Sequence, residues 1–390
     1  MSLNLLKKIK RKLFNKKLKQ KVLYNYFQKS YLKKALLSYI TQPFESGVQY
    51  RHTNHNEAMV IAKVLDKLNY QVDIIDFDNR NSKLAYQEYS LILGSGRPLE
   101  EAFYVIDKKK TYVVLYGTGI HNFTNNQSSL KRIYENYLKT NVLMINSARF
   151  VEEMWSLQNN FSHAAIVLGN EYVANSFRAY NSKMPVYPIP ASFHQVLDFK
   201  DLHRDIAETQ KNFLWFGSNG LIHKGLDLLL EVFSQRKDVY LHICGANSWE
   251  KEFFETYQTH LNQPNVFNHG FVNIHAIEFK NILEKCAFVI FPSTGEGGCA
   301  SIVTAMGNGG TIPIVTKECG LDVEEFGIMI ENLSTTSIEN ALEKALHLEI
   351  SDVQKRMKKT YNFVSEKHSV KEYEINIEKY LKEILNTKNA

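Results

Sequence analysis

The sequence predicts an α/β protein with two doubly wound parallel-sheet domains facing each other across a cleft. Three observations carry this. Short, almost continuously apolar runs alternate with amphipathic helical stretches along most of the chain, the pattern of parallel strands covered on both faces. The alternation pauses near residues 192–211 and then begins again. At 390 residues the chain also exceeds what one core usually serves, so two domains are expected.

The first segment, 1–44, is set apart by charge. It holds twelve Lys or Arg and no Asp or Glu, which leaves 35 basic against 41 acidic residues in the remainder. Leu6, Ile9, Leu13, Phe14, Leu18, Val22 and Tyr26 recur at steps of three or four, which predicts a basic amphipathic helix. Such a helix suits an anionic membrane surface through residues 1–40, each lysine near the headgroups adding about 1 kcal/mol. Phe14, Tyr24, Tyr26, Phe27 and Tyr31 suit a lipid interface better than a phosphate backbone, so no nucleic acid is expected. A solvated basic tail is the plainer alternative.

Residues 45–195 read as the first domain. "GVQYRH" predicts a strand, "NEAMVIAKVLDKLNY" a helix and "QVDIIDFD" a second strand, together a βαβ unit. "YSLILGSG", "TYVVLYGTG", "NVLMINS" and "HAAIVLGN" continue the series, and "MPVYPIPASF" leads out of it. Residues 210–340 read as the second domain, with strands at "KNFLWFGS", "VYLHICGA", "NVFNHGFV", "AFVIFPS" and "TIPIVT" separated by helices. Residues 341–390 should be helical.

Composition narrows the class. Hydrophobic residues at 44% and charged residues at 23% describe an ordinary globular protein. No apolar run reaches the ~18–20 residues of a spanning helix, and the N-terminus lacks a signal-peptide core. Cys244, Cys286, Cys299 and Cys319 lie far apart without a C-x-x-C pair, which argues against a structural zinc and a secreted disulfide framework. A cytoplasmic protein, peripheral on the inner face of the membrane, is expected.

Ligands of open α/β sheets bind beyond the carboxyl ends of strands, so the loops there are the places to search. In "FLWFGSNGLIHKGLDLLLEVF" a strand ends at Gly217 and Lys224–Gly225 opens a helix, an arrangement suited to an anion such as phosphate. The alternative is a surface lysine beside a turn glycine. In "FPSTGEGGCASIVTAMGNGGTIPIV" a glycine loop follows a buried strand and opens another helix. Its amides suit a second phosphate contact, and Glu296 suits sugar hydroxyls, unless that carboxylate merely caps the helix.

In the first domain, His52, Asn54 and His55 follow "GVQYRH", and His121 and Asn122 follow "TYVVLYGTG". All five are cleft candidates, each with the alternative of a loop residue bonded to backbone. Asp76 and Asp78 form a D-x-D of the kind that holds a metal with a diphosphate, but they lie far from the second-domain motifs and read as an incidental acidic edge. The G-x-G pairs at Gly94–Gly96 and Gly117–Gly119 lack a third glycine in register, which leaves a dinucleotide oxidoreductase weakly supported.

Together the stretches "WFGSNGLIHKGLDLLL", "NVFNHGF" and "FPSTGEGGCASIVTAMGNGGTIPIVT" resemble the donor-binding signature of the family-4-like glycosyltransferases, of bacterial surface-polysaccharide type. The resemblance covers the second half and implies the GT-B fold. It implies that Lys224 contacts the donor diphosphate, that Glu296 contacts the transferred sugar, and that Gly297 and Gly298 supply amides. Gly217, Ser218, Cys299 and Thr304 complete the implied donor set, and His121 is placed near the sugar, so that Glu296, His121 and Lys224 form the catalytic group. Thr304 stands where the family has a second glutamate, and Ser218 where it tends to have an arginine. The implied function is transfer from a nucleotide-diphosphate sugar to a glycan or lipid-linked acceptor, leaning toward retention, with no metal or other cofactor. The C-terminal helices are expected to cross back onto the first domain. The rival readings are a non-catalytic sugar-nucleotide-binding partner or sensor of the same fold, and a sugar-nucleotide epimerase.

Overall fold

Runs of buried branched and aromatic residues become the strands of two separate sheets. The computed structural model describes residues 21–49, 52–81, 83–246 and 249–387. The first sheet comprises β1 (Val22–Leu23), β2 (Lys33–Tyr39), β3 (Tyr70–Asp76), β4 (Leu91–Gly94), β5 (Tyr112–Gly117), β6 (Ala164–Leu168) and β7 (Val186–Ile189), in the order β1-β3-β2-β4-β5-β6-β7. All its pairs are parallel except β1 with β3. The second sheet comprises β8 (Asn212–Phe216), β9 (Tyr240–Cys244), β10 (Val266–Gly270), β11 (Phe288–Phe291), β12 (Ile312–Thr316) and β13 (Ile328–Ile330), in the order β10-β9-β8-β11-β12-β13, parallel throughout.

The second sheet reverses its winding between β8 and β11. At such a switch point the loops leaving adjacent strands diverge to opposite faces and open a crevice. The loops leaving β8 and β11 are the two that carry Lys224 and Glu296. Topology alone thus brings together motifs separated by about seventy residues.

Three readings are corrected, and one strand is added. Residues 1–20 of the basic segment lie outside the described residues, but 21–44 do not continue a helix: Val22 lies on β1, and Lys33–Tyr39 is β2, inside the first sheet. Ala35–Tyr39 is buried throughout, and a short run buried on both faces carries no period that separates strand from helix. "GVQYRH" is no strand among its described residues; it belongs to the connection before the helix Asn54–Lys67. "NVLMINS" is a loop ending in the 3₁₀ turn Ile145–Ser147, and its Met144 packs in the second domain's core. β13 went unrecognised because three residues are too few to show a pattern.

The chain returns to its start. The helix Val370–Thr387 sets Tyr373, Ile377, Leu381 and Ile384 into the core of the first sheet, and the Tyr373 hydroxyl lies 2.7 Å from that of Tyr116. At the centre of this packing the buried Glu57 carboxylate accepts from Tyr39, Tyr116 and Thr53. Burial raises its pKa against those hydrogen bonds.

The domains meet along the helix Asn122–Thr140, and the seam is polar. Arg132 donates to Asp227 at 2.7 Å with both side chains buried, and Asn136 donates to the same carboxylate at 3.1 Å. His223 of the second domain lies between Ser129 Oγ, 3.1 Å from its Nδ1, and the Gly295 carbonyl, 2.7 Å from its Nε2. A carbonyl only accepts, so Nε2 carries a proton. Burial pushes its pKa down to about 4, Glu296 pulling the other way.

Two predictions follow from the seam. Arg132→Met strands the Asp227 carboxylate and lowers stability by about 3–5 kcal/mol in denaturant unfolding, whereas Arg132→Met with Asp227→Leu restores most of the loss. For His223, the unfolded ring takes up its proton near 6.5 and the folded ring only near 4, so acid favours the unfolded chain. Its contribution is complete above about pH 6.5 and shrinks as pH falls toward 4, by about 2 kcal/mol at pH 5. Between pH 7 and 5 the unfolding midpoint of a folded His223→Gln variant should fall less steeply than that of the parent chain.

Candidate functional site

The loop leaving β11 is shaped by close approaches. At Gly297 an added Cβ would stand 2.3 Å from the Thr118 carbonyl of the first domain, so only glycine lets the two loops touch. Gly225, at φ +67, turns the chain into the helix Leu226–Gln235, and an added Cβ there would meet the Pro292 carbonyl at 2.3 Å. These contacts hold Lys224 and Glu296 toward one point.

There Glu296 is 8% exposed and every partner of its carboxylate comes from the chain. Ser293 Oγ donates to Oε1 at 3.1 Å, Arg149 Nη1 donates to Oε2 at 2.8 Å, and Lys224 Nζ lies 3.9 Å from Oε1. Burial alone would raise the carboxyl pKa; Lys224, then Arg149, outweigh it and hold it at about 2. Lys224 is buried as well and donates to Ser218 Oγ at 3.1 Å. Burial lowers its pKa, and Glu296 opposes that. The site is therefore a buried ammonium and carboxylate beneath an exposed guanidinium.

The helix opened by this loop, Ala300–Gly309, has Cys299 at its N-cap with φ 42 and no side-chain cap. Glu296 turns away from it, which removes the capping alternative. The first-turn amides of this helix are the anion seat that the geometry offers. The loop after β8 offers less than its glycines suggest, because Glu250 accepts from the amides of Gly220 and Leu221 at 2.6 and 2.9 Å. Burial raises the Glu250 pKa, opposed by those hydrogen bonds. Thr304 is buried one turn into the helix and spends its hydroxyl proton on the Ala300 carbonyl at 2.7 Å. What remains for a ligand at Thr304 is an acceptor.

Gly217, at the end of β8, bonds back to Cys244 and starts the loop to Ser218. Gly298 packs against Ala191 and Gly169, at the first domain's edge of the same loop. The thiol of Cys299 is buried, and burial raises its pKa well above the ordinary value, with Cys319 as its neighbour.

The first-domain candidates separate. His121 caps the helix Asn122–Thr140 by accepting from Phe123 N, and its ring stacks on Tyr180 at 4.4 Å; burial lowers its pKa to about 4. Those roles are structural, and Asn122 is simply the first residue of the helix. His55, in the first turn of the helix Asn54–Lys67, accepts from Gln49 N of the connection before it. His52 is exposed at the cleft, and Asn54 N donates to its Nδ1. Desolvation between the cleft walls, then Arg149, His55 and Lys224, lower the His52 pKa to about 4. His52, not His121, shares the field of Lys224. Asp76 accepts from Asp78 N in a tight turn and Asp78 pairs with Arg80, so the D-x-D is engaged locally. Among the described residues there is no group of three metal-ligating side chains.

Sequence reading missed Arg149, Ser293, Glu250 and His223. Ser293 lies three residues before Glu296, a spacing that was there to be seen. The other three act across the fold.

Residues 198–362 match the family of glycosyl transferases group 1. No curated protein matches the chain. Among solved structures, TarM from S. aureus, in complex with fondaparinux, alpha-GlcNAc-glycerol and UDP, aligns at 18% identity and a TM-score of 0.51, over 86% of this chain and 59% of that one. This chain thus spans little more than half of the TarM chain. HepE from Anabaena, in complex with UDP and glucose, aligns at 14% identity and 0.56, over 91% and 100%. Sucrose-phosphate synthase from Thermosynechococcus elongatus aligns at 12% identity and 0.63, over 91% and 99%. The resemblance read from the sequence agrees with this: the fold is GT-B, and residues 198–362, the second domain with the linker before it and the first C-terminal helices, match the glycosyl transferases group 1 family.

Proposed function

We propose that the chain transfers a sugar from a nucleotide-diphosphate sugar to a glycan or lipid-linked acceptor of a bacterial surface polysaccharide. The carrying observation is the pairing of Lys224 with Glu296 at the switch point of the second sheet, beside the uncapped start of the helix Ala300–Gly309. Lys224 and the helix amides stabilise charge developing on the leaving diphosphate, in a site where burial strengthens each contact. Glu296, ionised at any physiological pH, accepts from hydroxyls of the transferred sugar. The first domain holds the acceptor, with His52 facing the seam. Diphosphate charge is met by protein groups in this reading, without a metal, and the family resemblance favours retention at the anomeric carbon. That TarM and HepE, which share the fold, were solved in complex with UDP supports a nucleotide as the ligand.

Residues 1–20 supply the membrane contact in this reading, on the inner face of the cell membrane. Among the described residues no helix is long and apolar enough to cross a membrane.

Thermal unfolding against UDP, GDP, CDP, ADP, dTDP and their common sugars tests the donor site. A nucleotide at 100 times its dissociation constant adds about 2.7 kcal/mol. With that donor, Glu296→Gln should keep the fold at a lower thermal midpoint, because it leaves the buried Lys224 ammonium with less to balance it, and should lose transfer by about a hundredfold, the scale of one charge-assisted contact of up to ~3 kcal/mol. Normal turnover in the variant sinks the assignment, and binding with neither transfer nor donor conversion supports the non-catalytic alternative, which the inward Thr304 hydroxyl favours. For the membrane, full-length protein with Lys7, Lys8, Lys10, Lys12 and Lys16 changed to Gln should lose co-sedimentation with anionic vesicles. Unchanged co-sedimentation removes the basic segment from the proposal.

A further inference from the structure

The cations of the site come from both domains. The second domain contributes one ammonium, Lys224, whose charge already faces Glu296 at 3.9 Å. The amides of Gly220 and Leu221, two backbone donors of the β8 loop, are occupied by Glu250. A diphosphate brings at least two negative charges into this space, and Lys224 with one helix N-terminus leaves part of that charge unmatched.

Arg149 stands at the same point from the opposite side. Its backbone is fixed within the first domain: its N–H donates to Ser129 Oγ at 2.9 Å, and its carbonyl accepts from Asn125 Nδ2 at 2.6 Å. Its aliphatic stem crosses the seam and lies over Gly220, where an added Cβ would stand 2.6 Å from Arg149 Cγ. The guanidinium then reaches Glu296. Glu296 engages one of its N–H groups, and a guanidinium carries five. The side chain is 47% exposed, against 7% for Lys224 and 9% for Glu296. Of the three charged groups it is the one able to turn without unpacking anything.

Ser293 and Arg149 engage one oxygen each of Glu296, whose side chain is 9% exposed. The Glu296 carboxylate opens most to a sugar hydroxyl when one partner withdraws, and the exposed one withdraws at least cost. We infer that Arg149 is a ligand-binding residue of the donor site supplied by the first domain. When a nucleoside diphosphate enters, the guanidinium exchanges Glu296 for phosphate oxygens, which leaves Oε2 free for the sugar. The phosphate then ties the two domains together. This rests on the donor reading above.

The test uses the full chain, isothermal titration with UDP, GDP, CDP, ADP and dTDP, and the variants Arg149→Gln and Arg149→Lys, each checked for an unchanged thermal midpoint. Arg149→Gln should weaken the diphosphate that the parent chain binds by about tenfold or more, and Arg149→Lys by less. The same loss should persist in a Glu296→Gln background, because the guanidinium acts on phosphate directly. Parent-like affinity in Arg149→Gln overturns the inference alone. So does a loss that vanishes in the Glu296→Gln background, since Arg149 would then act only through Glu296. A parent chain that binds none of the five overturns the donor reading and this inference together.

Discussion

A carboxylate shut away from water has to be answered by positive charge, and the burial of Glu296 imposes that demand on everything around it. Two cations meet it, one from each domain. Lys224 can serve only because the β8 and β11 loops are neighbours at the switch point. Arg149 can serve only because the first domain closes onto the glycine loop, and Gly297 permits that approach. Withdraw either domain and an ionised group is left buried with too little to balance it.

The same requirement explains the character of the seam. Arg132 with Asp227 and Ser129 with His223 join the domains through directed polar contacts, where Ile133 and Met144 add apolar packing. Polar contacts fix register more strictly than apolar ones, because a misplaced donor loses its partner entirely. They also keep the domains separable, since water can replace each bond when the seam opens. The helix Asn122–Thr140 carries most of these groups along one side, and His121 serves at its start as a cap. The loop just before that cap is the part that touches the glycines of the β11 loop.

Glu250 shows how a motif can mislead. A glycine-containing loop before a lysine and a helix suggests a phosphate cradle, yet the chain fills two of its amides with its own carboxylate. The loop is thereby held rigid beneath Lys224. Rigid support of this kind keeps a charged group in place before a ligand arrives, which is where preorganised electrostatics gains its strength.

The sequence by itself determined the two α/β domains, the second-domain strands except β13, and the two loops whose Lys224 and Glu296 the fold brings together. Those features are local: a strand buried on both faces reads as an apolar run, and a glycine loop reads as a turn into a helix. It did not determine where the first sheet begins, because β2 is short, buried on both faces and preceded by lysines that extend a helical pattern. Nor did it show that His52 shares the field of Lys224 while His121 does not, or find Arg149 at all. An arginine in a loop carries no periodicity and no motif, and its meaning lies wholly in what stands opposite. Only tertiary structure sets residue 149 against residue 296, because electrostatic partnership depends on distance in space and not on distance along the chain.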